Sequence, residues 1–182
     1  MEGGIALQEK MAKLKEPFHP NDIEWRVGSK GKNNTIGLAL AYVTNRAIQE
    51  RLDEVFGIGG WKNEFVEWKG GSQLCGISVK IDNELITKWD GAADSDFEAV
   101  KGGLSNAMKR AACQWGIGRY LYKLPDVRKP IEPVGKSYRL TEIPTLPDWA
   151  LPAGFNPPPK KESPAPATKE SPAPLTVDIL KT

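Results

Sequence analysis

The spacing of apolar residues changes along this chain, and each change marks an element. Residues 5–16 set Ile5, Leu7, Met11 and Leu14 among charges, which predicts a short amphipathic helix ended by Pro17 and Pro20. Residues 21–33, carrying Trp25, Arg26, Lys30 and Lys32, read as a strand or loop. Thr35 can cap a second helix running to about Phe56. Its apolar positions, Ile36, Leu40, Val43, Ala47, Ile48, Leu52, Val55 and Phe56, keep helical spacing with a drift in the stripe, and Gly57, Gly59 and Gly60 stop it. Three strand-like runs follow: Trp61 to Lys69, Leu74 to Ile81, and Glu84 to Trp89. Gly70-Gly71 and Asp82-Asn83 between them are hairpin signals, so the expectation is an antiparallel meander.

The third helix is the clearest element. Ser95-Asp96-Phe97-Glu98 fits a capping box, in which the Ser hydroxyl and Glu carboxylate satisfy free N–H groups. Phe97, Val100, Leu104, Met108, Ala111 and Trp115 then recur at spacings of three and four and form one narrow stripe. The opposite face carries Gly102, Asn106, Lys109, Arg110 and Cys113, and Gly116 and Gly118 close the helix. Residues 120–149 hold a Tyr-rich segment, Tyr120 to Lys123, followed by Pro-broken chain. From about residue 153 the composition shifts. Lys161-Glu162-Ser163-Pro164-Ala165-Pro166 recurs as Lys169-Glu170-Ser171-Pro172-Ala173-Pro174. Such a chain buries too little apolar surface to offset its ordering entropy. Residues 1–150 are therefore expected to form one domain and 151–182 a disordered, extended tail. Leu175, Val177, Ile179 and Leu180 read as an unstructured end, with a docking peptide as the alternative.

Charge changes this picture only through its distribution. The net charge is +2, yet residues 101–139 contain nine Lys or Arg against two acids, Asp126 and Glu132. Residues 82–98 run the other way, with Asp82, Glu84, Asp90, Asp94, Asp96 and Glu98. A basic segment in a near-neutral chain can still neutralise phosphates locally. Cys75 and Cys113 lie far apart and share no metal or disulfide spacing, so a reduced, cytosolic protein is expected. No apolar run resembles a signal peptide or reaches the ~20 residues that span a bilayer.

Several chemistries lack their residues. Gly71 to Ser78 imitates a phosphate-binding Gly-x-x-x-x-Gly-Lys-Ser/Thr loop, but Ile77 stands where the lysine belongs. His19, between Phe18 and Pro20, has no partner at metal-ligand spacing, and no Gly-x-Ser-x-Gly elbow occurs. No catalytic residue, metal or cofactor is expected. The acids Asp90, Asp94, Asp96 and Glu98 leave a Mg²⁺-dependent structure-specific nuclease as a rival reading, although Asp96 and Glu98 also suit a helix N-terminus. On the third helix, Gly102 and Gly103 leave a low surface that a phosphate backbone can approach between Lys109 and Arg110. Tyr120 and Tyr122 can stack on bases. A solvated helix face with core aromatics fits the same residues.

Phe56-Gly57-Ile58-Gly59-Gly60-Trp61, the run Ala99 to Ala111 (AVKGGLSNAMKRA) and Trp115-Gly116 resemble the single-strand annealing proteins of the Rad-fifty-two superfamily, especially its bacterial and phage, DdrA-like branch. The resemblance spans roughly residues 20–125. It implies an α+β fold with a β-β-β-α core, a three-stranded meander packed on helices, and a ring-shaped homo-oligomer holding single-stranded DNA in a positive groove. By resemblance, Lys109 and Arg110 match the groove's Lys-Arg pair and Lys101 a further basic position. Cys113 stands where the family often has another Arg. The family's Arg on the first core helix aligns with Ala47, beside Arg46. Lys80, near the hairpin turn, belongs to a possible second, outer site, and Arg119 completes the candidate DNA contacts. The expected function is ATP-independent single-stranded DNA binding and annealing in recombination and double-strand break repair, near the nucleoid. A recombination adaptor acting through a protein partner of the tail is the other rival.

Overall fold

The computed structural model describes residues 2–92 and 99–156. The capping box at Ser95 to Glu98 and the repeats from Lys161 to Pro174 lie outside the described residues. Among those described, three α-helices and two antiparallel sheets give an α+β chain. None of these helices is long and apolar enough to cross a membrane.

One sheet is a meander of β3 (Trp61–Glu67), β4 (Gln73–Ile81) and β5 (Glu84–Ala92), in that order. Asp82 and Asn83 join β4 to β5 with φ of 47° and 68°, the two left-handed residues of a type I′ hairpin turn. Side chains alternate across a strand, so Cys75, Ile77 and Val79 of β4 share one face, and all are fully buried. Helix α3 (Ala99–Gln114) packs across this sheet. Its Ala107, Met108, Ala111 and Ala112, with Trp115 just beyond its end, meet β4 in the core. The Trp115 indole N–H donates to the Ile77 carbonyl at 3.0 Å. The buried indole thus satisfies its one polar atom while filling the interior.

The other sheet runs β1 (Ile23–Lys30), β2 (Ile36–Val43), β6 (Arg128–Val134), β7 (Ser137–Leu140). It corrects the expected helix from Thr35 to Phe56, which is two elements. Residues 36–43 form β2, with Gly37, Ala39 and Val43 buried at a period of two. Thr44 rather than Thr35 is the helix cap. Its Oγ1 accepts from the Ala47 N–H at 3.2 Å, and α2 (Asn45–Phe56) follows. The stripe drifted because β2 is apolar on both faces, so no alternation marked it as a strand. The Pro-broken chain after Lys123 contains a hairpin, β6 and β7, turning at Gly135-Lys136. Helix α1 (Glu2–Lys15) packs on α2 through Leu14, and ends before Pro17 as its sequence suggests.

The Phe56 to Trp61 motif is a helix stop that launches the meander. Gly57 takes φ of 75° at the end of α2. A Cβ on Gly60 would fall 2.0 Å from the Phe56 carbonyl oxygen, so only glycine fits. The Trp61 indole then donates to Asp53 at 2.6 Å, tying β3 back to α2.

Candidate nucleic-acid interface

Helix α3 rests on the meander and reaches the other sheet through a side chain. Successive helical residues turn by about 100°, so Lys109 and Arg110 leave it in different directions. Lys109 points toward β1 and β2. Its Nζ donates to Glu24 Oε2 at 2.6 Å and lies 5.9 Å from the centre of the Tyr42 ring. Its side chain is only 9% exposed. Glu24 and Tyr42 are register partners on β1 and β2 and so leave the sheet on one face. Arg26, two residues along, shares that face and lies 3.6 Å from Glu24. Burial alone would raise the Glu24 carboxyl. The Lys109 hydrogen bond and the charges of Lys109 and Arg26 outweigh it and hold the carboxyl below its ordinary range.

Arg110 points the other way, toward β5. Its Nε donates to Asp90 Oδ1 at 3.0 Å, with the arginine side chain 54% exposed. Asp90 also accepts from the Gly91 N–H at 2.8 Å and the Gln114 amide at 3.1 Å. Desolvation would raise this carboxyl, but the Gln114, Gly91 and Arg110 donors pull it below the usual range. Between the two sides opens a cleft of about 400 Å³, whose lining includes Arg26, Tyr42, Asn106, Lys109, Arg110 and Tyr122. Three cations there face two carboxylates, so the five charged side chains keep a small positive excess.

The other expected contacts are dispersed. Lys101 lies near the start of α3, and its side chain is outside the described atoms. Arg46 is exposed on the first turn of α2. The preceding Asn45 donates to Ser105 Oγ at 3.2 Å, which sets this end of α2 against α3. Ala47 is 3% exposed, so the position aligned with the family's arginine faces the core here. Lys80 is exposed on β4 beside the hairpin turn and does not line the cleft. The Arg119 guanidinium folds back onto α3, donating to the Cys113 carbonyl at 2.8 Å and the Gln114 carbonyl at 2.9 Å. It therefore caps the negative end of the helix dipole.

The two tyrosines differ as well. The Tyr120 hydroxyl accepts from the Phe18 N–H at 2.9 Å and serves the fold, whereas Tyr122 is exposed at the cleft. Of the acids considered for metal, Asp90 is engaged as above. Asp94, Asp96 and Glu98 lie outside the described residues, and no metal-holding group of three His, Cys, Asp or Glu occurs among those described. His19 accepts from the Asn21 N–H at 3.2 Å and caps a short 3-10 turn. Sequence reasoning missed Glu24 and Tyr42. No local signal could have found Glu24, because 85 residues separate it from Lys109.

The fold and the site together define an α+β protein whose cationic cleft borders a helix laid on an antiparallel meander. A family model described as "Rad52/22 family double-strand break repair protein" matches residues 6–73 and 68–134. The single-stranded DNA-binding protein DdrA of Deinococcus radiodurans is 32% identical over 150 residues, covering 81% of this chain and 70% of its own length. DdrA of Deinococcus deserti is 32% identical over 158 residues, covering 81% of this chain and 73% of its own. The chain belongs to the Rad52/22 family.

Proposed function

We propose that this chain binds single-stranded DNA along the cleft beside α3 and anneals complementary strands in DNA repair, without ATP and as a ring-shaped homo-oligomer. The observation that carries this reading is the meeting of Arg26, Lys109 and Arg110 at one cleft on α3, in a chain similar over four-fifths of its length to proteins named for binding single-stranded DNA. The chemistry breaks no bond. Cations neutralise the sugar–phosphate chain and release its counterions, which gives affinity independent of sequence. Tyr122, exposed at the cleft mouth, offers a face for a base. A strand fixed by its phosphates keeps its pairing edges available. A second strand is drawn in because the repulsion between the two is already offset.

Arg110 is the principal phosphate contact in this proposal. Lys101, Arg46 and Arg119 extend the track, Lys80 serves a separate outer site, and the action takes place in the cytoplasm near the nucleoid. Residues 1–150 form the binding domain, and 151–182 form a tail able to recruit a protein partner. The test is annealing of two complementary labelled oligonucleotides by the purified full chain in ATP-free buffer, with electron microscopy of the same sample. Accelerated annealing by ring-shaped particles is expected. No binding of an oligothymidine even in dilute salt would sink the proposal.

A further inference from the structure

Asp90 lies on the face of β5 that turns toward α3, opposite the buried Cys75 in register. Its carboxylate collects a guanidinium N–H from Arg110, a side-chain amide from Gln114 and the backbone N–H of Gly91, at 3.0, 3.1 and 2.8 Å. Guanidinium, amide and main-chain N–H are the donors that also hold phosphate oxygens of a nucleic-acid backbone. An anion thus already occupies the donor set beside the cleft. The arginine is 54% exposed and the aspartate 20%. Arg110 can therefore swing outward to a ligand while Asp90 stays on the sheet. Lys109 has no such freedom, being 9% exposed and held to Glu24.

We infer that Asp90 is a built-in competitor for the phosphate backbone: its carboxylate holds the Nε of Arg110 when no strand is bound, and a strand must outcompete it to gain the whole guanidinium. This rests on the single-stranded DNA reading above. Binding becomes an exchange of one anion for another at Arg110 rather than a simple gain of a contact. The exchange lowers affinity, and it gives the arginine a resting partner whenever a phosphate leaves. A protein that must hold a strand and then give up the product duplex benefits from such a contact, because most tuning of affinity acts on the dissociation rate.

The test compares the full-length wild type with Asp90→Asn by fluorescence anisotropy on a labelled oligothymidine across a salt series. Asparagine keeps one oxygen to accept from the Gly91 N–H, turns its amide N–H toward Gln114, whose own amide can flip to accept it, and removes the charge. Asp90→Asn is expected to bind about two- to fivefold more tightly, the range set by a surface ion pair. The gain should vanish when Arg110→Ala is also present, since the effect runs through that side chain. Glu84→Gln, which removes a charge at the far end of the same strand, should give a smaller change. Unaltered or weaker binding by Asp90→Asn overturns the inference, and so does a gain that persists without Arg110. Failure of the wild type to bind any single strand would instead overturn the functional reading beneath it. Should Asp90→Asn not fold, the carbon-13 titration of the Asp90 carboxyl in the wild type reads the same exchange. It starts below the ordinary aspartate range and should move back up when a strand takes Arg110; no movement overturns the inference.

Discussion

Lys109 and Arg110 are adjacent on one helix, carry the same charge, and each meets one carboxylate, yet the two sides of α3 give them different work. On the β1–β2 side the ammonium is buried against Glu24 and Tyr42. On the β5 side the guanidinium is mostly exposed, and its partner Asp90 is held by two further donors. About 100° of helix rotation thus separates a cation that joins two sheets through α3 from one available to a ligand. A basic pair in a sequence motif need not be a pair of equivalent contacts; burial decides which member can reach outward.

The largest effect expected is therefore a split between two alanine variants. Lys109→Ala removes the one buried cation among the described residues and leaves Glu24 without its closest partner. It should cost about 2 kcal/mol, within the range for a hydrogen bond between charged groups, read as a lower denaturant midpoint. Arg110→Ala should change stability by less than about 1 kcal/mol, as exposed pairs do. It should instead weaken binding to single-stranded DNA and reduce the slope of log affinity against log salt by about 0.7, the share of one phosphate contact on a single strand. Equal stability losses in the two variants would break the distinction.

This asymmetry also marks where the sequence stopped being readable. The meander and α3 were legible because their signals are local: paired turn residues between alternating runs, and an apolar stripe at helical spacing. β2 was not, since Ile36 to Val43 is apolar on both faces and its neighbours β1 and β6 lie on opposite sides of it in the chain. β6 hid behind Pro130 and Pro133, which argue against a strand until the pairing with Ile36 and Tyr138 is seen. The resemblance pointed to Lys109 and Arg110 together. Only the fold brings Glu24 and Asp90 to them and shows Arg119 turned onto the carbonyls that end α3.

A smaller effect tests the buried side through pH. The Glu24 carboxyl is held below its ordinary value of 4.5 in the folded protein. A depressed folded value means the pair stabilises above the unfolded value, and that this contribution is lost as pH falls through the folded one. The wild type should lose stability as pH drops below about 4.5, in part through this group. Glu24→Gln should be less stable at neutral pH and show a flatter decline over the same interval, measured as denaturant midpoints from pH 7 to 3.5. Parallel profiles for the two proteins would remove Glu24 from the account.

The smallest expected change sits between the two sides, at Cys113. It lies one turn beyond both cations and lines the same cleft, with a thiol pushed up by burial. Cys113→Arg would set a cation near the C-terminal end of α3, where the helix dipole favours positive charge, and within the field of Asp90. The cleft of about 400 Å³ leaves room for the longer side chain. If the strand follows the cleft between the two sides, the new guanidinium meets it. Affinity for an oligothymidine should then rise, with a salt slope steeper by up to about 0.7. If the strand runs only along the outer, β5 flank of α3, the new cation pairs with Asp90 instead and competes with Arg110 for it. Affinity should then rise without a steeper slope, because Arg110 is released while no further phosphate is neutralised. The slope, more than the affinity, therefore separates a strand lying across both sides of the helix from one held by Arg110 alone.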